Sequence, residues 1–254
     1  MGVSGPEAAP YLQRMLSNDV EALAPGESCE ALLLSAKARI VAPTTVFRRG
    51  VEDYLLLTDP ELAEPLRAAL QRSRFAAKVA IELERHDSAL VVGKEAPPGA
   101  VANREYGVAA YELVDDEPPA WGEIDEHELE RMRIRAGTPR YGKEIDDRVL
   151  PAEAGLDRTA IDFEKGCYPG QEPIARQHYR GRVNRGLRIL EIEGQDVPGY
   201  DEELTHEGKV IGRLTSAVAE GDHVLGLGYV RVEVPSDAEL RLGGRAVKQL
   251  DIEA

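Results

Sequence analysis

From Gly186 onward the chain reads as short β-like runs, residues 187–192, 209–214, 224–232 and 240–248, separated by Gly, Asp and Pro. Runs of this length and punctuation predict a small all-β terminal unit, a sandwich or a barrel. The first 95 residues read differently. A helix capped by Ser4 is expected from Pro6 through Tyr11, Leu12, Met15 and Leu16. Strands are expected at 30–34, 40–47 and 54–57. Asp59-Pro60 then opens a helix whose Leu62, Leu66 and Leu70 fall on one stripe. Further strands are expected at 79–83 and 89–92. Such a mixture of hairpins and packed helices is an α+β pattern rather than a regular βαβ series.

The middle of the chain is looser. Residues 93–99 and the acidic stretch 115–122, with Pro118-Pro119, are loop material, and Trp121 reads as a loop anchor. A helix is expected over 124–136, ending at Gly137. A long irregular connection follows to Leu156, and ordered loops of that length are often functional. Approximate divisions are 1–95 and 96–185, both α+β, and 186–254 for the β unit.

Composition bounds the function class. No apolar run approaches the roughly 20 residues needed to cross a bilayer, and the start lacks the pattern of a signal peptide. Two cysteines, Cys29 and Cys167, are too few for a disulfide framework and point to a reducing cytoplasm. Cys29 reads as core. The net charge of −15 argues against broad coating of nucleic acid or anionic membrane. The charge is uneven, however. Nine acids and no Lys or Arg lie between Glu112 and Glu130, whereas Lys165, Arg176, Arg180, Arg182, Arg185 and Arg188 face only Glu172. A basic island on an acidic chain suits an anionic ligand, or a solvated face.

Within that island stands Lys165-Gly166-Cys167-Tyr168-Pro169-Gly170-Gln171-Glu172. Two glycines around the cysteine permit tight turns and close approach to a ligand. Residues 171–179 are helix-compatible with Pro173 in the first turn, so Cys167 sits just before a helix N-terminus, with Lys165, Arg176 and Arg180 near in sequence. Helix dipole and cations favour the reactive thiolate, and the same backbone N–H groups suit an anion.

Lys-Gly-Cys-Tyr-x-Gly-Gln-Glu resembles the signature of the YgfZ-type folate-binding proteins, relatives of the glycine-cleavage T-protein, an aminomethyltransferase. The likeness continues through Ala175-Arg176, Arg180-Gly181, Arg133-Ile134-Arg135-Ala136-Gly137-Thr138-Pro139, Pro151-Ala152-Glu153-Ala154-Gly155-Leu156, Gly5-Pro6-Glu7-Ala8, Leu12-Gln13 and Ser17-Asn18-Asp19-Val20. The resemblance implies a three-part fold around a central opening that binds tetrahydrofolate, with its first two parts interwoven along the chain, and a C-terminal β-barrel. It also implies service to the assembly or repair of iron–sulfur client proteins, with an indirect effect on tRNA modification. By the same likeness Cys167 is the reactive centre, and Lys165, Gly166, Tyr168, Gly170, Gln171, Glu172 and Arg176 are the cofactor-binding residues. The chain is short for that family, which implies a missing peripheral helix or loop.

One departure separates the chain from the transferase branch, which resembles it but carries paired aspartates after a glycine-rich turn. That turn falls at Ser35-Ala36-Lys37-Ala38-Arg39-Ile40-Val41, followed by Ala42 and Pro43, neither able to handle a proton. Folate binding is therefore expected over aminomethyl transfer, which stays an alternative.

Other chemistries find less support. His127-Glu128-Leu129-Glu130-Arg131 has arginine where a zinc helix needs its second histidine. The five histidines, His86, His127, His178, His206 and His223, show no paired spacing, so no metal site is expected. Two cysteines cannot hold a four-thiolate cluster in one chain. Cys167 with His178 is a candidate nucleophile–base pair. No phosphate-binding or dinucleotide glycine loop occurs, and Gly226 and Gly228 punctuate a β run. Direct RNA binding through the basic island, with Tyr168 or Tyr179 stacking on a base, is the alternative from another class.

Overall fold

The computed structural model describes residues 1–93, 95–118, 122–181 and 183–250, and for Arg180 the backbone alone. Pro119, Trp121 and Arg182, singled out above, lie outside the described residues, as do the last four positions of the expected β unit.

Short apolar runs build the first sheet, and along its longest strand, residues 40–50, alternate side chains turn inward. Its strands are β1 (Gly2–Ser4), β2 (Ser28–Leu34), β3 (Ile40–Gly50), β4 (Asp53–Leu57) and β5 (Ala80–Glu82), in the order β2-β3-β4-β1-β5. All neighbours are antiparallel. Helices α1 (Ala8–Met15) and α2 (Ala63–Arg72) cover one face, with α2 entered through a 3-10 turn at Pro60–Leu62. The stripe Leu62, Leu66 and Leu70 is buried against Tyr11, Leu12 and Val46. Ser4 is not a helix cap. It ends β1, and α1 begins after Glu7, whose carboxylate accepts a hydrogen bond from the Lys78 backbone N–H at 2.6 Å instead of capping its own helix.

A second, three-stranded sheet has the order β6-β8-β7, with β6 (Ser88–Val92), β7 (Val101–Asn103) and β8 (Ala110–Val114). Helix α3 (Glu126–Arg135) follows, with the Asp125 carboxylate accepting from Glu128 N–H as a cap. Residues 137–170 are irregular, and α4 (Gln171–Arg180) leads into the last unit.

That unit is a closed antiparallel barrel in the order β10-β11-β12-β9-β14-β13. Its strands are β9 (Arg185–Glu193), β10 (Glu203–His206), β11 (Lys209–Glu220), β12 (His223–Arg231), β13 (Leu240–Leu242) and β14 (Arg245–Leu250). The run read at 240–248 is thus a hairpin, turned at Gly243-Gly244, where both residues have positive φ. Alternation places Leu190, Ile192, Val224 and Val230 inside. Leu187, Ile189, Leu225 and Leu227 face outward onto Ile134, Val149 and Ala154. Gly226 and Gly228 do more than punctuate: a Cβ at Gly228 would lie 2.9 Å from Leu190 Cδ1, so the small barrel interior has no room for one. The architecture is α+β in three parts with a C-terminal barrel. Among the described residues no helix is long and apolar enough to cross a membrane.

Candidate functional site

The cysteine motif is a braced turn on the outside of the first sheet. Gly170 has φ of +83°, and a Cβ there would sit 2.6 Å from the Ser35 carbonyl oxygen. Only glycine lets the turn press onto the β2–β3 hairpin and still start α4 at Gln171. Tyr168 is buried with Leu32, Leu34, Ile40, Ile145 and Ile174, and burial pushes its phenol up to about 12. Lys165 Nζ donates to the carbonyls of Gln13, Leu16 and Asn18 at 2.8, 2.7 and 2.6 Å, tying the motif to the end of α1. Burial lowers its pKa to about 8, so at neutral pH the ammonium still has three protons for three acceptors.

Between these anchors Gly166 and Cys167 are exposed. Gln171 is half-buried, and Glu172 pairs with Arg176 at 2.8 Å on the open face of α4. The second cysteine, Cys29, is partly buried against the first core, and burial raises its thiol to about 11. Among the described residues the basic island does not gather at one point. Lys165 is spent on carbonyls and Arg176 on Glu172, while Arg185 lies over the Tyr229 ring at 4.6 Å on the barrel. His178 stacks on Phe163 with ring centroids 3.9 Å apart, and among the described residues no hydrogen bond joins it to Cys167. Also among the described residues, no group of three His, Cys, Asp or Glu converges as metal ligands.

A cavity of about 340 Å³ opens between the first sheet, the three-stranded sheet and the irregular segment. Its charged wall groups are Glu30 from β2, Asp59 after β4, Arg104 and Glu105 after β7, Glu112 from β8, and Arg140. Partial burial raises the pKa of Asp59, and desolvation against the cavity wall raises that of Glu105, which still reaches solvent, with Arg140 opposing both shifts. Glu112 accepts from Asn103 Nδ2 at 3.0 Å, and Thr58 Oγ1 donates to the Pro43 carbonyl at 2.7 Å. Pro43 itself lines the wall, so no carboxylate projects from that position. The eight motif residues named above lie outside this lining. They brace it from behind, since Tyr168 packs in the same cluster as Leu32, Ile145 and Ala160, which face the cavity.

The cavity acids went unread in the sequence. Asp59 reads as a helix opener and Glu112 as part of an acidic run, because neither β7 nor β8 was expected. The residues at 110–114 do alternate in burial, but over five positions the signal is short.

No family model matches the chain. An uncharacterized protein of Haemophilus influenzae is 26% identical over 244 residues, covering 93% of this chain and 86% of its own length. The mitochondrial iron–sulfur cluster assembly factor IBA57 homolog of Pyricularia oryzae is 28% identical over 94% of this chain and 71% of its own. Aminomethyltransferases of several bacteria also align along nearly the whole chain. Among solved structures, the glycine cleavage system aminomethyltransferase T of Bartonella henselae superposes with a TM-score of 0.80. That match has 19% identity and covers 98% of this chain and 81% of that one. The architecture is therefore the aminomethyltransferase fold, and the resemblance seen in the motif extends to homologues along nearly the full chain.

Proposed function

We propose that this chain, a homologue of iron–sulfur assembly factors and of aminomethyltransferases, binds a tetrahydrofolate in its central cavity and supports the assembly or repair of iron–sulfur proteins. Through those clients it affects tRNA modification. The reading is carried by the wall of the cavity. A pterin presents its 2-amino group and N3–H as two adjacent donors, which a carboxylate accepts in parallel. Asp59, Glu105 and Glu112 supply such acceptors, and Arg104 and Arg140 suit the carboxylates of the folate's glutamate. The volume, about 340 Å³, falls in the usual range of small-molecule sites. When bound, the folate supplies a one-carbon carrier. The protein's own groups bind it, orient it and keep water from one face. Pro43 in the wall favours binding over aminomethyl transfer.

Cys167 is the reactive group in this reading, exposed to a client protein rather than to the cavity. Gly166 gives it room, and Lys165, Tyr168 and Gly170 hold the turn. Gln171, Glu172 and Arg176 form the adjoining face that meets the client. In the working division into 1–95, 96–185 and 186–254, the first and last units each have an apolar cluster of their own, while the middle one packs its apolar residues with 32–40 on one side and with the barrel on the other. Two unpaired cysteines support a reducing, cytoplasmic setting.

Calorimetric titration with tetrahydrofolate and its 5-formyl derivative tests the reading. Micromolar binding is expected, weakened about tenfold or more by Glu105→Gln, a loss of ~1.4 kcal/mol. Arg176→Ala, on the outer face, leaves the affinity within about twofold. Cys167→Ala binds folate normally but fails to restore iron–sulfur enzyme activity to a deletion strain. Absence of heat and of thermal shift at millimolar folate overturns the reading.

A further inference from the structure

We infer that the turn after α2, residues 74–77, is a docking point for a partner protein that presents an apolar side chain among carboxylates. The inference stands apart from the folate reading and survives its failure.

Phe75 sits in this turn with φ of +46° and is 92% exposed. The turn is closed by the Ala77 N–H, which donates to the Arg74 carbonyl at 2.9 Å. A backbone angle of this kind belongs to glycine or asparagine, and for a bulky aromatic it is strained. Among the described residues the other non-glycine positions with positive φ are Ala38, Asp115, Asp201 and Glu207, none of them aromatic. A lone exposed apolar side chain is common and needs no account. One that also strains its backbone while packing on almost nothing has its use outside the fold.

The surroundings of Phe75 define what it meets. Arg72 ends α2, Arg74 and Lys78 flank the aromatic, and all three are exposed. Arg14, exposed in the last turn of α1, joins them. Tyr11 donates to the Leu70 carbonyl at 2.5 Å, which seats α1 against the end of α2. The same phenol lies in the fields of both Arg14 and Arg74. On α2 the Glu64 carboxylate goes to Arg67 at 2.7 Å, and among the described residues none of the four cations forms an ion pair. Glu7, an acid that touches this segment, is taken by the Lys78 backbone N–H at 2.6 Å. Arg74 keeps one long bond, 3.4 Å, to the Val79 carbonyl. Arg14 and Arg72 also complement the dipoles of their helices, a role in which Phe75 has no part.

An aromatic ringed by unpaired arginine and lysine suits an apolar side chain with carboxylates beside it. The reach of these charges decides the class of partner. Screening confines them to about 8 Å at physiological salt, so a short protein segment meets the patch alone. A nucleic acid strand or an anionic membrane extends farther and meets the rest of a chain of net charge −15. The patch is small, so docking is weak and quickly reversed, as encounters that bury little area are.

The test follows the fluorescence anisotropy of a labelled acidic peptide with a central leucine, at low and at raised salt. A Kd on the order of 100 µM is expected, rising with salt. Phe75→Asn weakens binding about fivefold or more. It melts no lower than wild type, because asparagine accepts the backbone angle. Arg72→Gln/Arg74→Gln weakens binding likewise and flattens the salt dependence. Lys209→Gln/Lys248→Gln, which removes equal charge elsewhere, does neither. Absence of binding at millimolar peptide overturns the inference, as does binding untouched by Phe75→Asn. A lower melting temperature for Phe75→Asn also overturns it, since Phe75 then serves the fold. Tighter binding of oligouridine or of phosphatidylglycerol vesicles through the same residues overturns the protein partner in favour of RNA or membrane.

Discussion

Lys165 shows how a cation of the cysteine motif can be committed to the chain's own carbonyls. Its charge lies inside a short cation-rich stretch, which in sequence reads as attraction for an anion. In the fold its three protons are distributed over three carbonyls at the end of α1. Those carbonyls belong to residues that have run out of helical partners, and a buried ammonium satisfies them where water cannot easily reach. Lys165→Met keeps the stem and removes the donors. It is expected to cost on the order of 2–3 kcal/mol, as hydrogen bonds to a charged group do, read as a fall in the urea midpoint. The same variant frees the Cys167 turn, so alkylation of Cys167 by iodoacetamide changes in rate in the native protein. An unchanged midpoint contradicts the structural role given to the ammonium.

At the scale of elements, the joint between the two open sheets depends on one histidine. His86 places Nδ1 2.6 Å from Asp115 and Nε2 2.8 Å from Glu84. Glu84 is held down to about 2, first by Arg49 and then by His86, while Arg49 also meets Asp53 at 2.8 Å. Asp115 sits at φ of +61°, fixed by its bonds with the Asp87 backbone. A neutral imidazole donates from one nitrogen only, so both contacts together require the protonated ring. Its pKa is accordingly raised, by Asp115 most and Glu84 next. A raised value means the folded state holds the proton more tightly. The contribution is therefore complete below the ordinary histidine range of about 6.5 and is lost as pH rises through the native value. Thermal melts should show wild type ahead of His86→Gln at pH 6, with the gap closing by pH 9. A gap independent of pH rules the ionic joint out.

Elements with long or strongly periodic patterns were legible. The Leu62, Leu66, Leu70 stripe follows from helical spacing, and strands β2 to β4 and the long runs of the barrel follow from apolar, β-branched stretches bounded by turn residues, with clean alternation of burial in β3. The short ones were not. β1 spans three residues beside Gly5-Pro6, which locally imitates a helix start, and β10 buries only Leu204 of its four residues. The motif turn was legible because its glycines and aromatic lie together in sequence. The cavity was not, since Glu30, Asp59, Glu105, Glu112 and Arg140 come from segments that only the sheets bring together.

Across the whole molecule, the barrel is tied to the rest through a buried polar pillar. Arg133 of α3 is fully buried and donates to Glu130 at 2.7 and 3.0 Å, to Glu144 at 3.1 Å, to the Thr138 carbonyl at 2.6 Å and to Ser216 of β11 at 2.8 Å. Ser216 in turn donates to Glu144 at 2.6 Å. Helix, irregular segment and barrel thus share one network, beside Thr138, Arg140 and Ile145 of the cavity wall. Desolvating two charges is costly, so the network sets position more than it adds stability, and its worth shows when one partner is missing. Arg133→Met leaves Glu144 buried without its cation and is expected to cost about 3–5 kcal/mol. Adding Glu144→Leu removes the stranded charge and should recover at least half of that loss in urea unfolding. Folate affinity should not recover with it, because the strip that carries Arg140 has lost its fixed point on the barrel. Recovery of both stability and affinity in the double variant refutes the positioning role and leaves the pillar as packing alone.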